Sequence, residues 1–111
     1  MPAPSEIRLS KDRRRLTVTF PDGKTRVIPA ELLRVESPSA EVQGHDPSQK
    51  RLVTGKADVT ITAIEPVGRY AVRLVFDDGH DTGIYSWSVL ERFVREGDAM
   101  DAAYRAAVAA G

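Results

Sequence analysis

The chain has 111 residues, no cysteine, and 16 Lys and Arg against 16 Asp and Glu. That length makes one ordinary domain with a modest core, and the balanced charge excludes a global field that would draw in nucleic acid or an anionic membrane. The lack of cysteine excludes disulfides, thiolate nucleophiles, Cys-ligated zinc and Cys-held iron–sulfur clusters together.

The N-terminal MPAPSEIRLS has neither the basic n-region nor the apolar h-region of a leader, and no apolar run approaches membrane-spanning length. A soluble, cytoplasmic protein is expected. Leu16, Val18 and Phe20 alternate with Arg15, Thr17 and Thr19, the period of a strand with one buried face; Glu6–Ser10 can add a strand before it. Pro21-Asp22-Gly23 then reverses the chain, because Pro fixes φ, Asp bonds its own backbone and Gly takes the positive φ, so a return strand follows over Lys24–Ile28. Pro29 stops that strand and suits the first position of a short helix over Ala30–Arg34, with Leu32 or Leu33 pointing inward.

From Glu36 to about Asp58 apolar periodicity vanishes, and a connection of roughly twenty residues in a compact domain is functional or disordered. Order is expected near Arg34–Glu41, with mobility rising from Gln43 to Lys50. Val59–Glu65 reads as a strand, Pro66-Val67-Gly68 as a turn, and Tyr70, Val72, Leu74 and Phe76 as an alternating strand that ends at Asp77-Asp78-Gly79; Gly83-Ile84-Tyr85 returns. Phe20-Pro21-Asp22-Gly23 and Phe76-Asp77-Asp78-Gly79 echo each other, which suggests two hairpins in one antiparallel sheet; shared turn chemistry explains the echo better than duplication does. Ser86 or Ser88 can cap a helix whose Trp87, Leu90, Phe93 and Val94 share a face. Gly97 is expected to end it, and Asp98 to cap a second, Ala-rich helix striped by Met100, Tyr104 and Val108.

Catalytic constellations are absent. His45 and His80 are the two histidines, neither in H-E-x-x-H nor in the H-x-[DE] start of an iron triad. The stretch before Thr54-Gly55-Lys56 fails as a phosphate loop, since Lys50 stands at the first Gly position and Ala57 follows Lys56. No G-x-S-x-G elbow holds a serine, and Asp77 and Asp78 read as turn formers. Lys11-Asp12-Arg13-Arg14-Arg15 is the one dense basic run, and without aromatic platforms beside it, it reads as a charged edge rather than a nucleic-acid site.

Two stretches, Leu32-Leu33-Arg34-Val35-Glu36-Ser37-Pro38-Ser39-Ala40-Glu41-Val42 and Phe76-Asp77-Asp78-Gly79-His80-Asp81-Thr82-Gly83-Ile84-Tyr85-Ser86-Trp87-Ser88-Val89-Leu90, resemble the gamma-butyrobetaine hydroxylase-like N-terminal domain. The resemblance covers residues 1–96 and leaves 97–111 as a helical extension. In the hydroxylases it implies a structural zinc held by three Cys and one His, ahead of an oxygenase domain. Carried across, the Cys positions fall on Ser37, Ser39 and Val42 and the His position on His80, so three of four ligands are gone. Similar domains appended to Mrp-type ATPases imply a place beside iron–sulfur machinery.

The expected fold is α+β: a small antiparallel sheet built from hairpins, a short helical turn after the first hairpin, and one or two C-terminal helices. The expected function is a non-catalytic adaptor that binds an unidentified protein partner, with Arg34, Ser37, Ser39, Glu41, His45 and Trp87 as contact candidates, as a monomer or weak homodimer, without nucleic acid or membrane. No cofactor is expected. The alternative is a metal-binding domain that holds zinc or iron through His80 and His45 with carboxylates such as Glu41, Asp46 or Asp81.

Overall fold

In the computed structural model, which describes residues 1–111, the first alternation becomes strand β2 (Arg15–Thr19), with Leu16 and Val18 wholly buried. Strands β1 (Glu6–Leu9) and β3 (Thr25–Pro29) flank it antiparallel, in a register that sets Leu16 between Leu9 and Ile28. Pro29 ends β3 in extended geometry and leads directly into helix α1 (Ala30–Val35), whose Leu32 and Leu33 are both buried.

A second meander follows: β4 (Ile61–Val67), β5 (Ala71–Phe76) and β6 (Gly83–Ser86), also antiparallel. The two hairpins expected to share one sheet therefore belong to two three-stranded sheets. Strand β4 runs on through Pro66 and Val67, and the turn falls at residues 68–70 instead. Pro66 is tolerated there because β4 is an edge strand. Tyr70 sits in that turn, 60% exposed, so the inward face of β5 is carried by Val72, Leu74 and Phe76.

Each meander is followed directly by a helix, and the echoed turns are built alike. Phe20 N–H donates to Lys24 O at 2.9 Å and Gly23 N–H to Phe20 O at 2.9 Å; Phe76 N–H donates to His80 O at 3.0 Å and Gly79 N–H to Phe76 O at 3.2 Å. Asp22 and Asp78 each accept from the backbone N–H two residues on, both at 3.0 Å. Gly23 and Gly79 close the turns at φ +89° and +90°, open to glycine at no steric cost.

One helix, α3 (Trp87–Ala110), spans the C-terminus where a break at Gly97 was expected. Ser86 caps it by accepting from Val89 N–H at 3.2 Å. Gly97 stays within the helix because the Arg26 side chain lies across it: a Cβ there would come within 2.6 Å of Arg26 Cδ. Arg26 Nε donates to Val94 O at 2.8 Å and Nη1 to Asp98 at 2.6 Å, so Asp98 is an ion-pair partner and not a cap. The inward stripe runs through Leu90, Phe93, Val94, Met100 and Tyr104, and ends before Val108, which is 40% exposed.

Both sheets, α1 and α3 contribute to one core centred on Leu16, Ile28, Leu33, Ile61, Phe76 and Phe93. The long connection is not featureless. It forms a single-turn helix α2 (Ala40–Gln43), capped by Ser39, and a 3-10 turn (Pro47–Gln49), capped by Asp46. Arg51 N–H then donates to Val42 O at 2.8 Å and folds the segment back on itself.

Candidate functional site

The exit of α1 and the turn after β5 meet at a buried polar cluster. The turn fixes His80 through its N–H to Asp78 Oδ1 and sets its ring beside Phe76, centroids 6.0 Å apart. His80 Nε2 lies 2.9 Å from Ser37 Oγ, and Nδ1 lies 3.1 Å from Glu41 Oε2. An ionised carboxylate only accepts, so Nδ1 carries the proton and Nε2 accepts from the Ser37 hydroxyl. Ser37 Oγ accepts in turn from Ser39 N–H at 3.2 Å, and Ser39 Oγ shares a hydrogen bond of 2.7 Å with Thr82 Oγ1. Gly83 makes the approach possible, since a Cβ there would fall 2.7 Å from Ser37 Oγ and 2.9 Å from the Tyr85 ring. Tyr85 donates its hydroxyl to Leu33 O, and burial pushes its phenol up from the usual range.

The order serine, histidine, acid is that of a hydrolase triad. Burial decides against that use. Ser37 is 0% exposed and His80 5%, so the hydroxyl cannot meet a substrate. What the arrangement can do is tie residues 37–41 to residues 80–82, two segments about forty positions apart in the chain.

Beside the cluster lies a charged layer. Asp78 Oδ2 accepts from Arg34 Nε at 2.7 Å and meets Lys56 Nζ at 2.8 Å. Partial burial works to raise the Asp78 carboxyl, but the hydrogen bonds from Lys56, from His80 N–H and from Arg34, with the Arg34 charge, outweigh it and bring it down to about 2. Arg34 Nη1 is the one buried side-chain nitrogen or oxygen without a hydrogen-bond partner.

The resemblance placed the metal positions on Ser37, Ser39, Val42 and His80, and Ser37, Ser39 and His80 are joined here through hydrogen bonds. They do not fit a zinc. Val42 offers no donor atom and is 1% exposed, neutral hydroxyls replace thiolates, and Nε2 is engaged by Ser37. His45 is not part of the cluster: it is exposed, its N–H bonded to Gln49 Oε1 at 2.9 Å. No three His, Asp or Glu side chains converge as metal ligands anywhere in the chain.

Among the contact candidates, Ser37 and Ser39 are held inside the cluster and away from the surface, whereas Glu41 and His45 are exposed. Trp87 is half-buried against the core, with Nε1 donating to Arg69 O at 2.7 Å. Sequence reasoning missed Asp78 as an ion-pair centre, Lys56 as its second cation and Thr82 as the partner of Ser39. Asp78 carried a signal, its turn position, but that signal named only a backbone role.

Fold and site together define a small α+β domain whose two halves are cross-linked by a buried polar cluster. Residues 7–91 match the family model described as gamma-butyrobetaine hydroxylase-like, N-terminal, and the chain belongs to that family. Among solved structures, one determined by NMR in solution is 44% identical, with 98% of this chain and 86% of that chain covered and a TM-score of 0.83. A second NMR structure is 46% identical, with 99% and 82% covered and a TM-score of 0.82. A crystal structure of a protein of unknown function of the DUF971 family, from Acidithiobacillus ferrooxidans, is 42% identical, with 82% and 91% covered and a TM-score of 0.68. No curated protein matches the chain. No helix is long and apolar enough to cross a membrane.

Proposed function

We propose that the chain is a non-catalytic module that binds a protein partner through the outer side of residues 36–58 and the adjoining start of α3. The observation that carries this reading is how that segment is held: fastened from beneath by Ser37 and Ser39, it turns Glu41, His45, Arg51 and Leu52 outward. Leu52 is 50% exposed at the lip of an apolar groove shared with Val53, Tyr104 and Ala107. On the other side of the segment Pro38, Gln43 and Lys50 border Val89 and Arg92 of α3. The end of the segment anchored by Ser37 and Ser39 suits recognition, because little ordering entropy is lost there on binding. In the one arrangement that resembles catalytic machinery, the serine and the histidine are buried.

A link to iron–sulfur or other metallocofactor machinery belongs to this reading and rests on family resemblance. Metal binding has less behind it, since His80 has one carboxylate, Glu41, beside it and no third ligand. The test is affinity capture of the tagged protein from its own cell extract, with and without iron limitation, followed by reconstitution of the captured protein with the purified chain. Binding that a Leu52→Asp variant loses while its melting temperature holds supports the proposal. Direct binding equal in both variants overturns this surface, and no reconstitutable partner overturns the adaptor role.

A further inference from the structure

Three basic side chains, one from α1 and two from the connection after it, line one cleft. Arg34 comes from α1, Arg51 follows the 3-10 turn, and Lys56 lies beyond the Gly55 bend; with Thr54, they line a space of about 340 Å³. That volume is at the lower end of the range for small-molecule sites, roughly 300–1,000 Å³.

The donor count is in surplus. Arg34 and Lys56 share a single carboxylate oxygen, Asp78 Oδ2, although a guanidinium carries five N–H donors and an ammonium three. Arg34 is held in place by that contact, with its side chain 13% exposed and its Nη1 without any partner. Glu41 is the one acidic side chain on the cleft wall, and its carboxylate already accepts from His80. Arg51 is exposed, and its backbone N–H bond to Val42 O sets its main chain at the cleft. Arg34 and Lys56 pair with Asp78, and Arg51 has no ion-pair partner.

We propose that this cleft is a binding site for a small oxyanion, a carboxylate or a phosphate group, taken by Arg34, Arg51 and Lys56 with the Thr54 hydroxyl as a further donor. Charge-assisted hydrogen bonds from a pre-positioned guanidinium are the strong kind. Oxyanion binding here needs no protein partner, although Glu41, Arg51 and Leu52 of the cleft also belong to the surface proposed for one.

The test uses the isotopically labelled full chain and follows backbone amide resonances by NMR. Potassium phosphate and sodium succinate are titrated separately at neutral pH, with ionic strength held constant by chloride. Saturable shifts at Arg34 and at Arg51–Lys56 with either ligand support the site, and the tighter binder identifies the oxyanion. Arg51→Gln leaves the core untouched and should weaken binding by about tenfold, the worth of one charge-assisted hydrogen bond. Lack of saturation with both ligands, shifts as large at Arg13–Arg15 as in the cleft, or unchanged affinity in Arg51→Gln overturns the proposal.

Discussion

At the scale of single residues, the Ser37–His80 hydrogen bond joins the exit of α1 to the turn after β5, and its cost when broken should follow burial. His80→Ala leaves the Ser37 hydroxyl buried without its acceptor and should cost about 2–3 kcal/mol in urea unfolding. Glu41 has a side chain 60% exposed, so Glu41→Ala should cost less than about 1 kcal/mol. Equal costs for the two would show that the buried half of the relay is not the strut. Asp78 gives the cluster a pH signature. Its folded carboxyl is depressed from an ordinary 3.8 to about 2, so its contribution is fully present above about pH 4 and is lost as pH falls through 2. The acid limb of the stability curve between pH 4 and 2 should therefore flatten in Asp78→Asn, and an unchanged limb would sink this account. None of these pairings was legible from residue types alone. Family resemblance brought positions 37, 39 and 80 together, and only their geometry shows which atom bonds which.

At the scale of elements, the two Phe-x-Asp-Gly turns were legible, whereas the place of the β4–β5 turn and the continuity of α3 were not. Phe-x-Asp-Gly dictates its own local hydrogen bonds, so both hairpin turns form where the residues place them. Pairing between hairpins is not encoded by alternation, and the division into two sheets could not be read from it. Gly97 satisfied the local rule for a helix end, but the apolar stripe resumes at Met100 and Arg26 packs on the bare glycine, so tertiary contacts override the rule. Gly97→Ala should gain about 1 kcal/mol of helix propensity and lose comparable ground by displacing Arg26. In an Arg26→Ala background the same change should stabilise the protein by the full ~1 kcal/mol, which thermal melts of the four variants would measure. Equal effects in both backgrounds would remove Arg26 as the reason. Trp87 is half-buried, so its truncation to alanine should cost about 2 kcal/mol, below the 3–5 of a fully buried tryptophan. A melting temperature unchanged by Trp87→Ala would contradict its packing.

At the scale of the whole molecule, the connection between the two meanders was the least legible part, because it is built from capping hydrogen bonds and not from apolar periodicity. Residues 45–52 are all exposed, between the Gly44 N–H bond to Ala40 O and the Arg51 N–H bond to Val42 O. Amide hydrogen exchange should be fast over 45–50 and slower at Gly44 and Arg51; uniform protection from 44 to 51 would make the segment a packed element. The meanders it joins hold each other by contacts that cross from one to the other. Tyr85 of the second bonds Leu33 in the helix after the first, Arg26 of the first bonds Val94 and Asp98 in the helix after the second, and Ile61 N–H reaches Arg13 O. Neither half keeps its partners if cut away. Yet the same contacts would be satisfied if the second half came from another copy of the chain, with residues 44–58 opened as a hinge. The tether then sets the molecularity: its length lets the halves close on themselves, and a shortened tether would convert the same interface into an exchanged dimer.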